Sequence, residues 1–185
     1  MSVFGDGLDA AVQKAFTRPA PKSAPAQMRY LVRQLKSTKA VAQMLRISQR
    51  TVERYVKDQI KKPRPDLAAR LEAEVKKRWQ PQIRAKARQK AMTTGGIVID
   101  TRARIGYTAP IGTTDEDRLR HLTVALPPRY AARLFAAQEQ GASDQQLQQI
   151  AAEALKEVYF QDNGRRAGQL EEVRFTDIEH LEFDL

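Results

Sequence analysis

The stretch from Thr38 to Val56, TKAVAQMLRISQRTVERYV, decides the fold of the first half of this chain. Its apolar residues recur at the i, i+3, i+4 spacing of two short amphipathic helices with a tight turn between them. This pattern predicts a helix-turn-helix at about residues 38–57, with an ordinary helical hairpin in a core as the alternative. The predicted inward-facing residues are Val41, Ala42 and Leu45 in the first helix, Ile47 in the turn, and Val52, Tyr55 and Val56 in the second.

Hydroxyl side chains stand where both helices are predicted to begin. Ser37 or Thr38 is expected to cap the first helix and Ser48 the second, because a hydroxyl oxygen accepts from unpaired backbone N–H groups. Arg46 occupies a turn position where this motif often carries Gly, so a left-handed conformation is expected there at a steric cost. The second helix then turns its polar side outward, namely Gln49, Arg50, Glu53, Arg54 and Lys57.

Positive charge is concentrated in the first half of the chain. Residues 1–92 contain 22 Lys and Arg and 7 Asp and Glu, a balance of +15, whereas residues 93–185 contain 10 and 15, a balance of −5. This asymmetry predicts a basic half that binds nucleic acid and an acidic half with another task. A membrane surface is the weaker alternative, because no lipid-facing apolar stripe accompanies the charges.

Composition disfavours several other classes of protein. The chain has no Cys, which excludes disulfides and thiolate chemistry, and its two histidines, His121 and His180, are far apart, which disfavours a structural zinc site. No apolar run is long enough for a membrane span, and the first residues do not form a signal peptide. We therefore expect a cytoplasmic protein without a metal or cofactor of its own.

The segments around the central pair predict an all-α first domain, residues 1–92. Supporting helices are predicted from Leu8 to Phe16 with Asp6 as cap, over residues 26–36, and from Pro65 to a break at Pro81. The basic stretch 83–90 is either a solvated helix or a second DNA-contacting element, with DNA contact favoured. The base-edge candidates are Gln49, Arg50 and Arg54, and the phosphate candidates are Lys57, Lys61, Lys62 and Arg64.

The second half changes to a strand pattern after Thr93–Gly96, TTGG, where we predict a domain boundary. β-branched and alternating residues predict strands near 97–103 and 119–126, two helices follow, and one or two strands at 173–175 and 181–183 close the chain. Ser143 and Gln146 form a capping-box pattern at the second helix. The whole therefore predicts an α+β protein, in which an all-α helix-turn-helix half precedes a small α+β domain at 97–185.

A polar loop, GYTAPIGTTDED at 106–117, lies between the first two predicted strands. Thr113 and Thr114 stand together there, directly before Asp115, Glu116 and Asp117. The pair is either part of a turn, or a cap of a short helical turn, or an exposed hydroxyl that reacts. No activating base is evident nearby, so a reacting hydroxyl would need catalytic metals supplied by another protein.

Several long segments give the chain a resemblance to a known family, over essentially its whole length. These are FGDGL, KAFTRPAPKS, MLRISQRTVERYVKDQIKKPRPDLAARLE, TTGGIVIDTRARIGYTAPIGTTDEDR, HLTVALPPRYAARLF and DIEHLEFDL. The chain resembles the telomere terminal proteins of Streptomyces-type linear chromosomes and linear plasmids. Such proteins cap the 5′ ends of linear DNA, and a Thr hydroxyl serves as the primer that fills the recessed end.

The resemblance implies which residue reacts and with what help. Matching the family's GTTDED segment points to Thr114 as the nucleotide acceptor, with Thr113 as the rival. It also implies telomeric DNA, a telomere-associated DNA-binding protein and a DNA polymerase as partners, with the divalent metal ions held by the polymerase. The protein is then a primer at chromosome or plasmid ends rather than an enzyme, and a homodimer is possible.

Two other functions are compatible with the residues alone. A transcription regulator would read an operator through the helix-turn-helix and dimerise through the acidic half. An enzyme is the weakest alternative, because no catalytic constellation is evident in the sequence.

Overall fold

The structure, a computed structural model, describes residues 2–108, 115–165 and 170–185. Its helices are α1 Val3–Lys14, α2 Ala24–Leu35, α3 Thr38–Leu45, α4 Gln49–Val56, α5 Pro65–Arg78, α6 Pro81–Lys90, α7 Pro128–Glu139 and α8 Asp144–Leu155. Its strands are β1 Ile97–Thr108, β2 Asp115–Leu126 and β3 Glu172–Asp184. The chain divides into two compact units, a larger one of residues 1–16 with 82–185 and a smaller one of residues 17–81.

An antiparallel sheet in the order β2-β1-β3 forms one layer of the larger unit. Every second residue of β1 from Ile97 to Ile105 is buried, whereas Arg102 and Arg104 between them are exposed. Helices α1, α7 and α8 cover the buried face, and no described helix of this unit covers the other face. The shared core includes Phe4, Leu8, Ile99, Leu134, Phe135, Leu147, Leu155 and Phe183. The predicted α+β class is confirmed.

The strands are longer than the sequence predicted. The closing segment, predicted as one or two short strands, is a single strand of 13 residues that pairs with β1 through two register shifts. Charged residues such as Arg104 and Asp177 face each other in this ladder. Backbone pairing across the sheet carries the strands through these positions, which lie outside the predicted strand segments.

The first 16 residues belong to the larger unit rather than to the predicted 1–92 domain. The ring of Phe4 lies 5.9 Å from that of Phe175 on β3, which ties α1 to the sheet. Gly96, in the predicted boundary, instead leads directly into β1: its φ is +71°, and a Cβ there would lie 2.2 Å from the Leu126 oxygen. The TTGG segment is therefore a tight connection inside one unit, required by close backbone approach.

The smaller unit consists of α2 to α5 around a core of its own. That core includes Met28, Leu31, Val41, Leu45, Val52, Tyr55, Leu67, Leu71 and Val75. Trp79, the only tryptophan of the chain, packs edge-on against Tyr30 with ring centroids 4.9 Å apart. None of the described helices has the length and apolar character needed to cross a membrane.

Candidate nucleic-acid interface

Helices α3 and α4 are capped and packed as the sequence pattern predicts. The Ser37 hydroxyl accepts from the Ala40 N–H at 3.1 Å, and the Ser48 hydroxyl accepts from the Thr51 N–H at 3.2 Å. Their shared apolar side is buried at Val41, Ala42, Leu45, Val52 and Tyr55 and partly buried at Ile47 and Val56. Burial of this side leaves the opposite side of α4 facing solvent.

The residues predicted to contact DNA all lie at the surface of the smaller unit. Each of the seven is exposed: Gln49, Arg50, Arg54, Lys57, Lys61, Lys62 and Arg64. Within the described part of the chain, the six cations of this set form no ion pair, whereas some of the cations on α2 and α5 do. Examples of the latter are Arg29 with Asp58 at 2.7 Å and Lys76 with Glu72 at 2.9 Å. No ion pair among the described residues therefore occupies these six cations, which leaves their charge available to a polyanion.

Gln49 differs from the other candidates because its amide is already held. Its Nε2 donates to the Thr38 hydroxyl at 3.1 Å and to the Glu53 carboxylate at 3.0 Å. These bonds link the start of α3 to α4 and fix the orientation of the amide. A base contact by Gln49 would use its remaining hydrogen-bonding capacity, so Arg50 and Arg54 are the freer base-edge candidates.

After a turn at residues 57–59, the segment that leads into α5 is without helix or strand, and its backbone is anchored. Ile60 packs against the core of the smaller unit, and the Tyr55 hydroxyl donates to the Lys62 carbonyl at 3.5 Å. Burial raises the pKa of the Tyr55 hydroxyl, so this donor keeps its proton. Three of the predicted phosphate candidates, Lys61, Lys62 and Arg64, thus project from a positioned backbone.

The basic helix α6, for which DNA contact was favoured over residues 83–90, has two of its four cations engaged within the larger unit. Arg84 lies 3.1 Å from Asp9 on α1. Arg88 lies 2.9 Å from Glu139 and sits over the Phe135 ring at 5.2 Å. With side-chain exposures of 16% and 20%, these two arginines fasten α6 to the larger unit rather than face solvent.

The predicted acceptor residues Thr113 and Thr114 lie outside the described residues. The residues that flank their segment are the last of β1, Thr108, and the first of β2, Asp115. Tyr107 pairs with Asp115 across the sheet, and its ring lies 5.7 Å from that of Phe160. The acidic residues after the threonine pair thus begin a paired strand, so their backbone is placed by the sheet.

His121, the histidine nearest to the threonine pair in sequence, lies on the sheet face opposite the helices. It is six residues beyond Asp115 along β2, roughly 20 Å at the rise of an extended strand. Its Nε2 lies 3.4 Å from the Asp100 carboxylate, which His180 also approaches at 3.5 Å. A hydrogen bond from Thr123 and the two histidines lower the pKa of Asp100, although some burial opposes them. No group of three or more potential metal ligands occurs among the residues that the structure describes.

No protein-family model, curated protein or solved structure matches the chain. The function is therefore argued from its own residues and their geometry.

A polar groove of about 1060 Å³ lies in the larger unit between α8 and the start of β3. Its side chains are largely occupied by neighbours: Gln148 donates to the Phe175 carbonyl at 3.0 Å, and Glu157 accepts from Tyr130 and Arg129. The Tyr130 hydrogen bond and the Arg129 charge lower the pKa of Glu157, although its slight burial opposes them. The described residues that line the groove include no histidine.

Proposed function

We propose that the protein is a telomere terminal protein, which binds DNA ends and supplies a Thr hydroxyl as the primer for end-patching synthesis. The observation that carries the proposal is the exposed, unpaired set of cations on α4 and the segment after it. That set belongs to a glycine-free unit, residues 17–81, with 17 Lys and Arg against 5 Asp and Glu. The hydroxyl pair lies in the other unit, and the family resemblance assigns it the acceptor role.

In this proposal α3 and α4 form a helix-turn-helix. Helix α4 enters the major groove, where Arg50 and Arg54 reach base edges, while Lys57 and the cations after it contact phosphates. The caps at Ser37 and Ser48 and the buried apolar side support this docking by holding α4 rigid. Loss of one phosphate contact is expected to weaken binding to every sequence and to flatten its salt dependence by about one unit.

The proposed chemistry is nucleotidyl transfer onto Thr114. The Thr oxygen attacks the α-phosphorus of a deoxynucleoside triphosphate, the bond from that phosphorus to the bridging oxygen breaks, and pyrophosphate leaves. The hydroxyl proton passes to a base or water in the polymerase site. Two divalent metal ions of the polymerase activate the oxygen and stabilise the leaving group. This chain contributes the nucleophile and its placement, and a separate polymerase is the enzyme.

The same α3–α4 surface also suits a transcription regulator that binds DNA reversibly. Terminal DNA fragments from cells, denatured and treated with nuclease, distinguish the two functions. A terminal protein leaves a peptide joined to a nucleotide, which mass spectrometry locates at Thr114. A regulator leaves no covalent adduct. If the end fragments carry no covalently attached peptide, the priming proposal is wrong.

A reconstituted reaction then assigns the acceptor residue. The protein is incubated with labelled deoxynucleotide, polymerase and the telomere-binding partner. Thr114→Ala is expected to abolish labelling, and Thr113→Ala serves as the matched control that retains it. If Thr114→Ala is labelled and Thr113→Ala is not, the acceptor is Thr113. If both variants are labelled, the acceptor is another residue.

A further inference from the structure

The segment from Ile60 to Arg64, IKKPR, is a preformed extended arm. Lys62 and Arg64 each precede a proline, which restricts them to extended conformations. Arg64 has φ −65° and ψ 153°, the values of a polyproline II helix. The arm is fixed at both ends, since Ile60 packs against the core of the smaller unit and α5 begins at Pro65. Tyr55 holds its middle through the Lys62 carbonyl.

The side chains of this arm have no structural task within the described residues. Lys61, Lys62 and Arg64 are exposed and form no ion pair there. Arg64 precedes the first residue of α5, and its guanidinium has no acceptor with which to cap the N–H groups of that helix. On α5, by contrast, Arg70 is paired with Asp66 at 3.2 Å.

The arm is extended and cationic, and it follows a helix that is suited to the major groove. Proteins use arms of this kind to enter the adjacent minor groove. A rise of about 3.1 Å per residue gives five residues a reach of about 15 Å, which exceeds the major-groove width of about 12 Å. A narrow minor groove in A·T-rich DNA concentrates negative potential, and arginine is the side chain that it attracts most effectively. Because the arm is already extended and anchored, little conformational entropy is lost on insertion.

We propose that the arm lies in the minor groove next to the site of α4 and that Arg64 inserts between the phosphate strands of A·T-rich duplex DNA. This inference rests on the proposed DNA binding of the smaller unit and names the kind of DNA that the unit prefers. In this inference Arg64 contacts base edges and recognises the shape of the groove, instead of contacting only a phosphate. Lys61 and Lys62 remain at the rims of the groove.

The test uses short duplexes that differ only in the minor groove of a central A·T run. Diaminopurine in place of adenine adds the amino group that guanine carries in the minor groove and leaves the major-groove pattern of A·T unchanged. The full chain is titrated with the A·T and diaminopurine·T duplexes by fluorescence anisotropy. We expect the diaminopurine duplex to bind about tenfold more weakly, because the amino group blocks the inserted guanidinium.

Two substitutions distinguish insertion of Arg64 into the minor groove from contact with phosphates. Arg64→Ala is expected to bind both duplexes with equal affinity, whereas Lys57→Ala, the control, weakens both and keeps their ratio. The emission of Trp79 verifies that each variant is folded. Equal binding of both duplexes by the unmodified protein, or the same uniform weakening in both variants, overturns the minor-groove assignment and leaves DNA binding intact. Failure of the unmodified protein to bind any duplex at low salt overturns the proposed DNA binding itself.

Discussion

Arg46 shows how a single residue stores strain in the smaller unit. It has φ 54° and ψ 48° between α3 and α4, as its place in the motif predicts. Lys36, Asp58 and Gln80 also have positive φ, and residues 17–81 contain no glycine that could adopt this conformation without cost. A left-handed conformation costs an L-residue about 1–2 kcal/mol. Helix ends in this unit are therefore sites where stability can be raised.

Arg46→Gly is expected to stabilise the smaller unit by about 1 kcal/mol, since relief of backbone strain exceeds the extra chain entropy that glycine loses on folding. Chemical denaturation followed by Trp79 fluorescence measures the change in this unit alone. Arg46→Ala is the control, because it removes the charge and keeps the Cβ, and its stability is expected to stay within about 0.5 kcal/mol of the original. An equal gain in both variants would assign the effect to charge repulsion instead.

Asp144 joins the beginnings of two helices that are far apart in sequence. It is the first residue of α8, yet its carboxylate accepts from the Ser2 hydroxyl and the Phe4 N–H at 2.8 Å, and from the Val3 N–H at 3.0 Å. Burial works to raise the pKa of Asp144, but these hydrogen bonds together hold the pKa below its ordinary value. Ser2, not the predicted Asp6, thus caps α1.

Because the folded-state pKa of Asp144 is depressed, its contribution is present above the unfolded-state pKa and disappears as pH falls through the folded-state pKa. Asp144→Asn is expected to destabilise the larger unit by about 1–2 kcal/mol at neutral pH and to converge with the original protein in acid. Thermal unfolding followed by circular dichroism between neutral and acidic pH measures the difference. Asp177→Asn, at an exposed position on β3, is the control, and a difference that persists in acid would contradict the role of the charge.

At the scale of elements, the sequence pattern predicted those helices that are determined by interactions between residues close in sequence. The apolar spacing around Val52 and the hydroxyl of Ser48 are sufficient to define α4, since helix packing and capping act within one or two turns. The attachment of α6 to α1 was not predictable, because the pairing of Arg84 with Asp9 spans 75 residues and charge alone suggested DNA contact. The acceptor site of Thr114 came from resemblance rather than from periodicity, and it stays a prediction.

Arg88 provides a test of how α6 is used. Arg88→Ala removes contacts with Asp9, Glu139 and the Phe135 ring, and we expect the larger unit to lose about 1–2 kcal/mol of stability. Affinity for DNA should stay unchanged once the protein is folded. Lys86→Ala, an exposed cation of the same helix, is the matched control with little effect on stability. If Arg88→Ala binds DNA more weakly without losing stability, Arg88 contacts DNA instead of stabilising the larger unit.

At the scale of the whole molecule, the compact units divide charge differently from the two halves of the sequence. The smaller unit has 17 Lys and Arg and 5 Asp and Glu, a balance of +12, and the larger has 15 and 17, a balance of −2. Basic residues of α6 join the larger unit, where Arg84 and Arg88 meet carboxylates. The surplus of positive charge therefore lies in one unit, and the proposed acceptor segment lies in the other.

This division predicts that priming and DNA binding respond to different substitutions. We hypothesise that Asp115, Glu116 and Asp117 imitate the negative charge of a primer strand in the polymerase cleft. Converting them to Asn or Gln is expected to lower nucleotide attachment about tenfold through lost electrostatic steering and to leave DNA affinity unchanged.

Labelled-nucleotide attachment and duplex binding, measured on the same preparations, test this separation. Three exposed acidic residues of β3, Glu172, Asp177 and Glu179, are neutralised together as the charge-matched control, and attachment is expected to persist. Arg50→Ala with Arg54→Ala should give the reciprocal result, with weak DNA binding and normal attachment at saturating DNA. Equal attachment by the original protein and by the variant with Asp115, Glu116 and Asp117 neutralised would exclude mimicry of the primer, because the cleft would then recognise the threonine segment without that charge.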